Sequence, residues 1–406
     1  MRLIVYTGKG GTGKTVTSCS TAIKLADRKY KTLIVSSDPA HTLDDAFKLH
    51  NIDGNRNGGL NNEIKQIVSN LHALQVDPIN EISKRYSKIL TYMASIFSSK
   101  GIDETLAYEF AMMPGMTQVF SLLRVEEVMR ENSYEMIVLD MPASGEALRY
   151  LYFPKLVGSI GRKLSGLMGA FSGFSKLFQA FSGISVPENV TRYEHDLFER
   201  LNFLSDIIKD NNVTSLRLVA NPDSFSIENA KRTFMSASLY GINVDLAVIN
   251  KIMPAPETQN GSNQYYTNWT KFQHGKVEEA KANFYPLPIK EIPLHSSELA
   301  GIEMLRVNAN LMFTDDQDPA NIFYHGKPFS ITQENSNKLC ITTKVPFTKK
   351  ENFDIKRSGT NVTIRVMGPT GYIVNVIPLP TITFNMKLMG ANLDNNILNI
   401  FFEKTM

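Results

Sequence analysis

The stretch Gly8-Lys9-Gly10-Gly11-Thr12-Gly13-Lys14-Thr15 constrains this chain more than any other. It follows a strand-like run, Leu3-Ile4-Val5-Tyr6, and leads into a helix-like stretch from Val16 to Ala26. A glycine-rich turn at such a junction lets several backbone N–H groups face one anion, and the helix dipole adds to them. Lys14 is placed to neutralise the β- and γ-phosphates of a nucleotide. Thr15 offers a hydroxyl to Mg²⁺, which takes hard oxygen ligands and keeps several waters.

Three further runs read as buried strands that end in acids: Thr32 to Ser36 before Asp38, Leu71 to Val76 before Asp77, and Tyr134 to Leu139 before Asp140. Carboxylates just beyond the C-terminal ends of parallel strands lie beside the nucleotide in sheets of this kind. Asp38 and Asp140 are therefore candidates to hold the water shell of Mg²⁺, with a plain helix cap as the alternative for Asp140. Asp45 is placed to orient the attacking water, since phosphoryl transfer needs positioning and charge more than covalent help. Capping a helix that starts near Ala46 is the alternative for Asp45 and the preferred reading for Asp44. Asn51 to Asn62 reads as a loop. Leu216 to Ala220 is a further strand, followed by a helix from Ile227 to Leu239 and a strand from Val244 to Ile249 that ends in Asn250-Lys251. This alternation predicts an α/β fold with a mainly parallel, doubly wound sheet.

At 406 residues and 43% hydrophobic, the chain can bury a large core plus a smaller module. A net charge of +3 with no basic run argues against a nucleic-acid partner. The two cysteines, Cys19 and Cys340, have no metal-ligand spacing around them. The N-terminus begins directly with a strand, and no 18 consecutive residues are apolar, so the expected location is cytoplasmic.

Lys9, an additional lysine at the start of the loop, resembles the signature of the deviant phosphate-loop ATPases. Asp38-Pro39-Ala40-His41-Thr42-Leu43-Asp44-Asp45-Ala46-Phe47 is similar to the first switch of one branch, the arsenite-pump and tail-anchored-protein targeting ATPase family. Asp140-Met141-Pro142-Ala143-Ser144-Gly145-Glu146-Ala147-Leu148-Arg149 resembles its second switch, with Glu146 where histidine is frequent. Pro114-Gly115-Met116 resembles a further segment, although Thr117-Gln118 replaces the acidic pair that usually follows. The resemblance spans roughly residues 1 to 310. It implies Mg-ATP hydrolysis in a homodimer, with the nucleotide bound by Gly8 through Thr15. Catalytic roles fall to Lys9, reaching the partner's nucleotide, to Lys14, and to Asp45, activating water. It also implies that Asn250 contacts adenine and that Ile292-Pro293-Leu294-His295 and Glu298 to Glu303 close over the base. A solvated surface lysine and a turn residue are the alternatives for Lys9 and Asn250.

Between Leu151 and Val190 the composition shifts to Gly, Ser, Phe, Met and Leu. Leu164, Leu167, Met168, Phe171, Phe174, Phe178 and Phe181 recur at three and four residues, a continuous apolar helix face. Gly166, Gly169 and Gly173 loosen that helix. Three uses stay open: a client-binding surface for hydrophobic helices, a core or dimer-interface helix, or membrane contact flanked by Arg162, Lys163 and Lys176. From about Asp318 alternation takes over: Leu339, Ile341, Thr343, Val345; Val362, Ile364, Val366; Leu398, Ile400, Phe402. This predicts an antiparallel β-sandwich over 318–406, beside an ATPase domain over 1–315. Its ending, Ile377-Pro378-Leu379-Pro380 with Gly390-Ala391-Asn392-Leu393 and Leu398 to Phe402, resembles an alpha-crystallin (small heat-shock) domain.

The expected function is an ATP-dependent chaperone or targeting ATPase for transmembrane-helix clients, with a membrane receptor as a further candidate partner. The alternative is a partition-type or regulatory switch. An arsenite pump subunit is disfavoured because As(III) takes soft thiolates and one chain offers no cysteine cluster. No zinc is expected, since the paired cysteines of a bridged dimer are missing.

Overall fold

The computed structural model describes residues 1–38, 42–49, 60, 62–77, 80–81, 116–142, 188–254, 264–326, 329–335, 337–345, 348, 350–359, 361–368, 371–379, 383 and 385–404. The client-surface residues Leu164 to Phe181, the second-switch residues 143–149 and the segment 151–187 lie outside them, as do Pro114 and Gly115.

The first half builds one eight-stranded sheet. Its strands are β1 (Arg2–Gly8), β2 (Thr32–Ser36), β3 (Lys65–Val68), β4 (Leu71–Gln75), β5 (Met136–Asp140), β6 (Thr214–Ala220), β7 (Val244–Ile252) and β8 (Ile289–Pro293). They lie in the order β3-β4-β2-β5-β1-β6-β7-β8. All pairings are parallel except that of β3 with β4 at one edge. The mainly parallel sheet is as expected. The antiparallel edge was not anticipated: β3 is short, half-exposed and carries Lys65 and Gln66, so it has little of a buried strand's signature.

Because side chains alternate across a strand, each central strand feeds two cores. Leu3 and Val5 join Leu33, Val35, Ile137 and Leu139 on one face; Ile4 and Tyr6 join Ile34, Val138 and Val248 on the other. The second face is covered by α1 (Lys14–Asp27), α2 (Thr42–Phe47) and, near the end of this half, a helix over Ile302–Met312. The first is covered by α3 (Met116–Glu131), α4 (Glu188–Lys209), α5 (Ser224–Tyr240) and α6 (Gln264–Phe284). The helix Ile302–Met312 is α7. No described helix is long and apolar enough to cross a membrane.

Residues 314–326 return across the parallel sheet, where the sequence analysis placed the start of the sandwich at 318. Arg217, wholly buried in β6, explains this. Its guanidinium bonds both Asp245 carboxylate oxygens at 3.2 and 3.3 Å and the carbonyls of Pro319 at 2.8 Å and Asn321 at 3.2 Å. It also lies 5.1 Å from the Phe323 ring centre. Burial opposes its charge, yet Asp245 and Tyr6 hold its pKa above the ordinary value. On the outer side Lys24 reaches Asn310 and Asp315, Arg28 the carbonyls of Asp315 and Gln317, and Tyr30 the Asp318 carboxylate at 2.8 Å.

The antiparallel strands begin at Phe329. β9 (Phe329–Asn335), β10 (Lys338–Lys344), β14 (Met386–Asp394) and β15 (Ile397–Lys404) form one sheet in the order β14-β15-β10-β9. β11 (Phe353–Ser358), β12 (Asn361–Gly368) and β13 (Gly371–Pro378) form the other. The alternating residues predicted inward are inward: Leu339, Ile341, Val345, Val362, Ile364, Val366, Leu398, Ile400 and Phe402 are buried in one core. That core is continuous with the first face of the parallel sheet, because α5 packs against β10 and β13.

Candidate functional site

The topology fixes where the chemistry sits. β1 is central, with β5 on one side and β6 on the other, so the turn after β1 lies beside the C-terminal end of β5. Gly8 closes the strand so near its neighbour that a Cβ would stand 2.1 Å from the Val219 carbonyl oxygen. Gly13 opens α1 at φ 86°, and a Cβ there would stand 2.4 Å from Asn250 Nδ2. Only glycine meets both demands. The first ladder bond of α1 runs from Thr17 N–H to the Gly13 carbonyl at 2.9 Å. The N–H groups of Lys14, Thr15 and Val16 precede that ladder, at the positive end of the helix dipole.

Lys14 is buried at this end. Burial lowers its pKa, while Asp140 and Asp38 pull it back up. Thr15 donates its hydroxyl to Asp140 Oδ2 at 2.7 Å and lies 3.3 Å from the Thr42 hydroxyl. Asp140 is 1% exposed, and its Oδ1 has no hydrogen-bond partner. Burial pushes its pKa up to about 7, with Asp38 adding to the rise and Thr15 and Lys14 opposing it. Asp140 ends β5 as a strand terminus whose carboxylate meets the first residues of α1 through Thr15. An orphaned buried carboxylate oxygen beside a threonine hydroxyl is a hard-oxygen donor set, which fits Mg²⁺ and not a soft metal. Among the described residues no group of three or more His, Cys, Asp or Glu could hold a metal by itself.

A cleft of about 410 Å³ opens beside the loop. Gly13, Thr15, Val16, Thr42 and Asp45 line one side, and Asn250, Lys251, Leu294, His295, Glu298 and Leu299 the other. Gly301 N–H donates to the Ala46 carbonyl at 2.8 Å and ties the far wall to α2. Asp45 is exposed in the first turn of α2. Asp44 is not the cap expected of it. The helix starts earlier, at Thr42, and the buried Asp44 carboxylate instead accepts the Leu60 N–H at 3.0 Å. Asp38 lies past the end of β2, its carbonyl held by Gln75 Nε2 at 2.7 Å.

Asn250 sits inside β7, not after it. Its Nδ2 donates to the Thr12 carbonyl at 2.9 Å, so its amide braces the phosphate loop. Lys9 is exposed, its ammonium 5.4 Å from the ring centre of Phe225, which is itself 79% exposed. Two contributors escaped the sequence analysis: Thr42, hidden in a segment noted for its acids, and Lys251, which sits beside Asn250 and donates to the Gly11 carbonyl at 2.8 Å.

Residues 1–314 match the anion-transporting ATPase family. Among curated relatives, arsenical pump-driving ATPase 1 of Aquifex aeolicus is 29% identical over 99% of this chain and 100% of its own length. An arsenical pump-driving ATPase of Chlorobaculum tepidum is 28% identical over 99% of this chain and 96% of its own. ATPase get3 of Sclerotinia sclerotiorum is 28% identical over 79% of this chain and 92% of its own. With the loop, the strand-end acid and the match in agreement, the chain belongs to the anion-transporting ATPase family and is an enzyme that hydrolyses ATP.

Proposed function

We propose that this ATPase is a homodimeric targeting chaperone that captures hydrophobic helices, such as the membrane anchors of tail-anchored proteins, and uses Mg-ATP hydrolysis as its conformational switch. The single observation that carries the nucleotide part is the junction of Thr15 with the buried Asp140 beside the phosphate loop. Gly8 through Thr15 cradle the phosphates and Lys14 neutralises them. Mg²⁺ would be held by Thr15 directly and by Asp38 and Asp140 through its waters, and would supply charge neutralisation at the phosphates. Asp45 orients and deprotonates the attacking water, and Asn250 sets the loop and the base-side wall. Lys9, exposed and displayed over Phe225, is available to a second copy's nucleotide. Residues 1–315 form the ATPase domain, with 151–190 as the client surface, and 318–406 form the appended sandwich, for which an alpha-crystallin kinship is our proposal.

Relatives carry both targeting and arsenical-pump names. The cysteines favour the first. Cys19 is buried in α1, its thiol pushed well up chiefly by burial, and Cys340 is buried in β10, so neither sulfur is open to As(III).

Two experiments test this. Asp45→Asn slows hydrolysis by at least about a hundredfold while ATP affinity changes little; equal loss of affinity and turnover would remove Asp45 from the chemistry. Detergent-free co-expression with a tail-anchored helix gives capture by intact protein and none by a chain lacking 164–181, both first shown to bind ATP. No capture, with hydrolysis stimulated by arsenite, would transfer the assignment to the pump.

A further inference from the structure

β7 does not run straight past the phosphate loop. Ile249 pairs with Glu291 of β8 and Ile252 with Pro293, so three steps along β7 answer two along β8 and the surplus residue makes a bulge. Lys251 absorbs it with φ 63°, in the left-handed region that residues with a Cβ seldom enter. The bulge turns two consecutive side chains onto the loop: Asn250 Nδ2 bonds the Thr12 carbonyl at 2.9 Å, and Lys251 Nζ bonds the Gly11 carbonyl at 2.8 Å.

In a planar trans peptide the N–H points opposite to the C=O. These two bonds therefore fix the planes of the Gly11–Thr12 and Thr12–Gly13 peptides, the second with its N–H directed away from Asn250. An ammonium on a carbonyl also polarises that peptide and strengthens its N–H as a donor, here that of Thr12, which donates to the Lys9 carbonyl at 3.4 Å and so holds the loop's own curl. Lys251 lines the same cleft as Gly13, Thr15 and Asp45. Its four-carbon stem and freely turning ammonium suit a grip on one backbone oxygen.

We propose that Lys251 is a positioning residue for the nucleotide's phosphates: from the base-side wall it holds the phosphate loop in its anion-binding curl before the nucleotide arrives. This rests on the assignment of the cleft to the nucleotide made above.

Equilibrium binding of ATP and ADP, with steady-state hydrolysis, would be measured for wild type, Lys251→Met, Lys251→Arg and Lys14→Ala. Lys251→Met is expected to weaken ATP and ADP alike by about tenfold. The loss appears in KM more than in kcat, and Lys251→Arg recovers most of it. Wild-type affinity in Lys251→Met overturns the proposal, as does a loss confined to ATP, which would make Lys251 a γ-phosphate contact. A Lys14→Ala variant that binds ATP like wild type overturns the nucleotide assignment of the cleft instead. Should Lys251→Met fold poorly, Lys251→Gly relieves the left-handed backbone while removing the ammonium, and carries the same expectation.

Discussion

In the parallel sheet, Leu3 through Gly8 are buried without a break; in the antiparallel sandwich, β15 alternates between core and surface from Ile397 to Phe402. A parallel strand with helices on both faces has no wet side, so its only opening to solvent is its end. That is where Asp38, Asp140, Asn250 and the phosphate loop collect. The sandwich strands spend their polar positions along an outer face, and no comparable convergence of charge forms there among the described residues. Burial depth is the same in both halves. What differs is whether the fold gathers its polar groups at one place.

The largest expected effect tests whether a charge inside the parallel half is structural. Arg217→Met leaves Asp245 buried without its partner and frees two strap carbonyls, at a cost of about 3–5 kcal/mol in unfolding free energy. Arg217→Met with Asp245→Leu should recover most of it. A single variant as stable as wild type would mean that the pair is not needed to hold the strap.

A smaller effect probes the independence of the sandwich. Ile341→Ala should cost about 2–5 kcal/mol by opening a cavity in its core, with Mg-ATP turnover at 25 °C remaining within about twofold of wild type. Turnover falling in step with stability would show that the continuous core joins the halves into one unit.

The effect that is smallest at any one step, because it is spread over several pH units, is in the strand-end acid itself. Asp140 has a folded pKa of about 7, above its ordinary value. The folded state therefore holds a proton that the unfolded state releases, and stability contributed below pH 4 is lost as the pH rises toward 7. In nucleotide-free protein, wild type should lose up to about 1.4 kcal/mol per pH unit relative to Asp140→Asn over that window. Parallel stability profiles for the two proteins would show that Asp140 ionises freely.

The strand–loop–helix frame of the site was legible because phosphate binding leaves a local trace: glycines, a lysine and a threonine at fixed spacing between a strand and a helix. The sandwich was legible because period-two burial is written into each strand. Where a residue's role depends on a distant partner, the trace is missing. Arg217 lies within a run read simply as a strand, and nothing near it in sequence announces Asp245 or the carbonyls of residues 319 and 321. Lys251 depends on a bulge that exists only because β8 pairs out of step. Asp44 was assigned by proximity to a helix start, whereas its partner is Leu60, 16 residues further on. The onset of alternation set the sandwich boundary at 318 because the strap before Phe329 has no periodicity at all.

The strand order has a consequence for synthesis. β1 and its loop are made well before their partners: β1 pairs with nothing until β5 is complete at Asp140, and its other edge waits for β6 at Ala220. The outer flank of α1 stays open longer still, until Lys24, Arg28 and Tyr30 meet residues 310–318. The nucleotide loop thus leaves the ribosome long before the residues that complete its surroundings. Over that interval a strand of bare apolar residues must be kept from other partners, and such long-range closure is slow and exposed to aggregation.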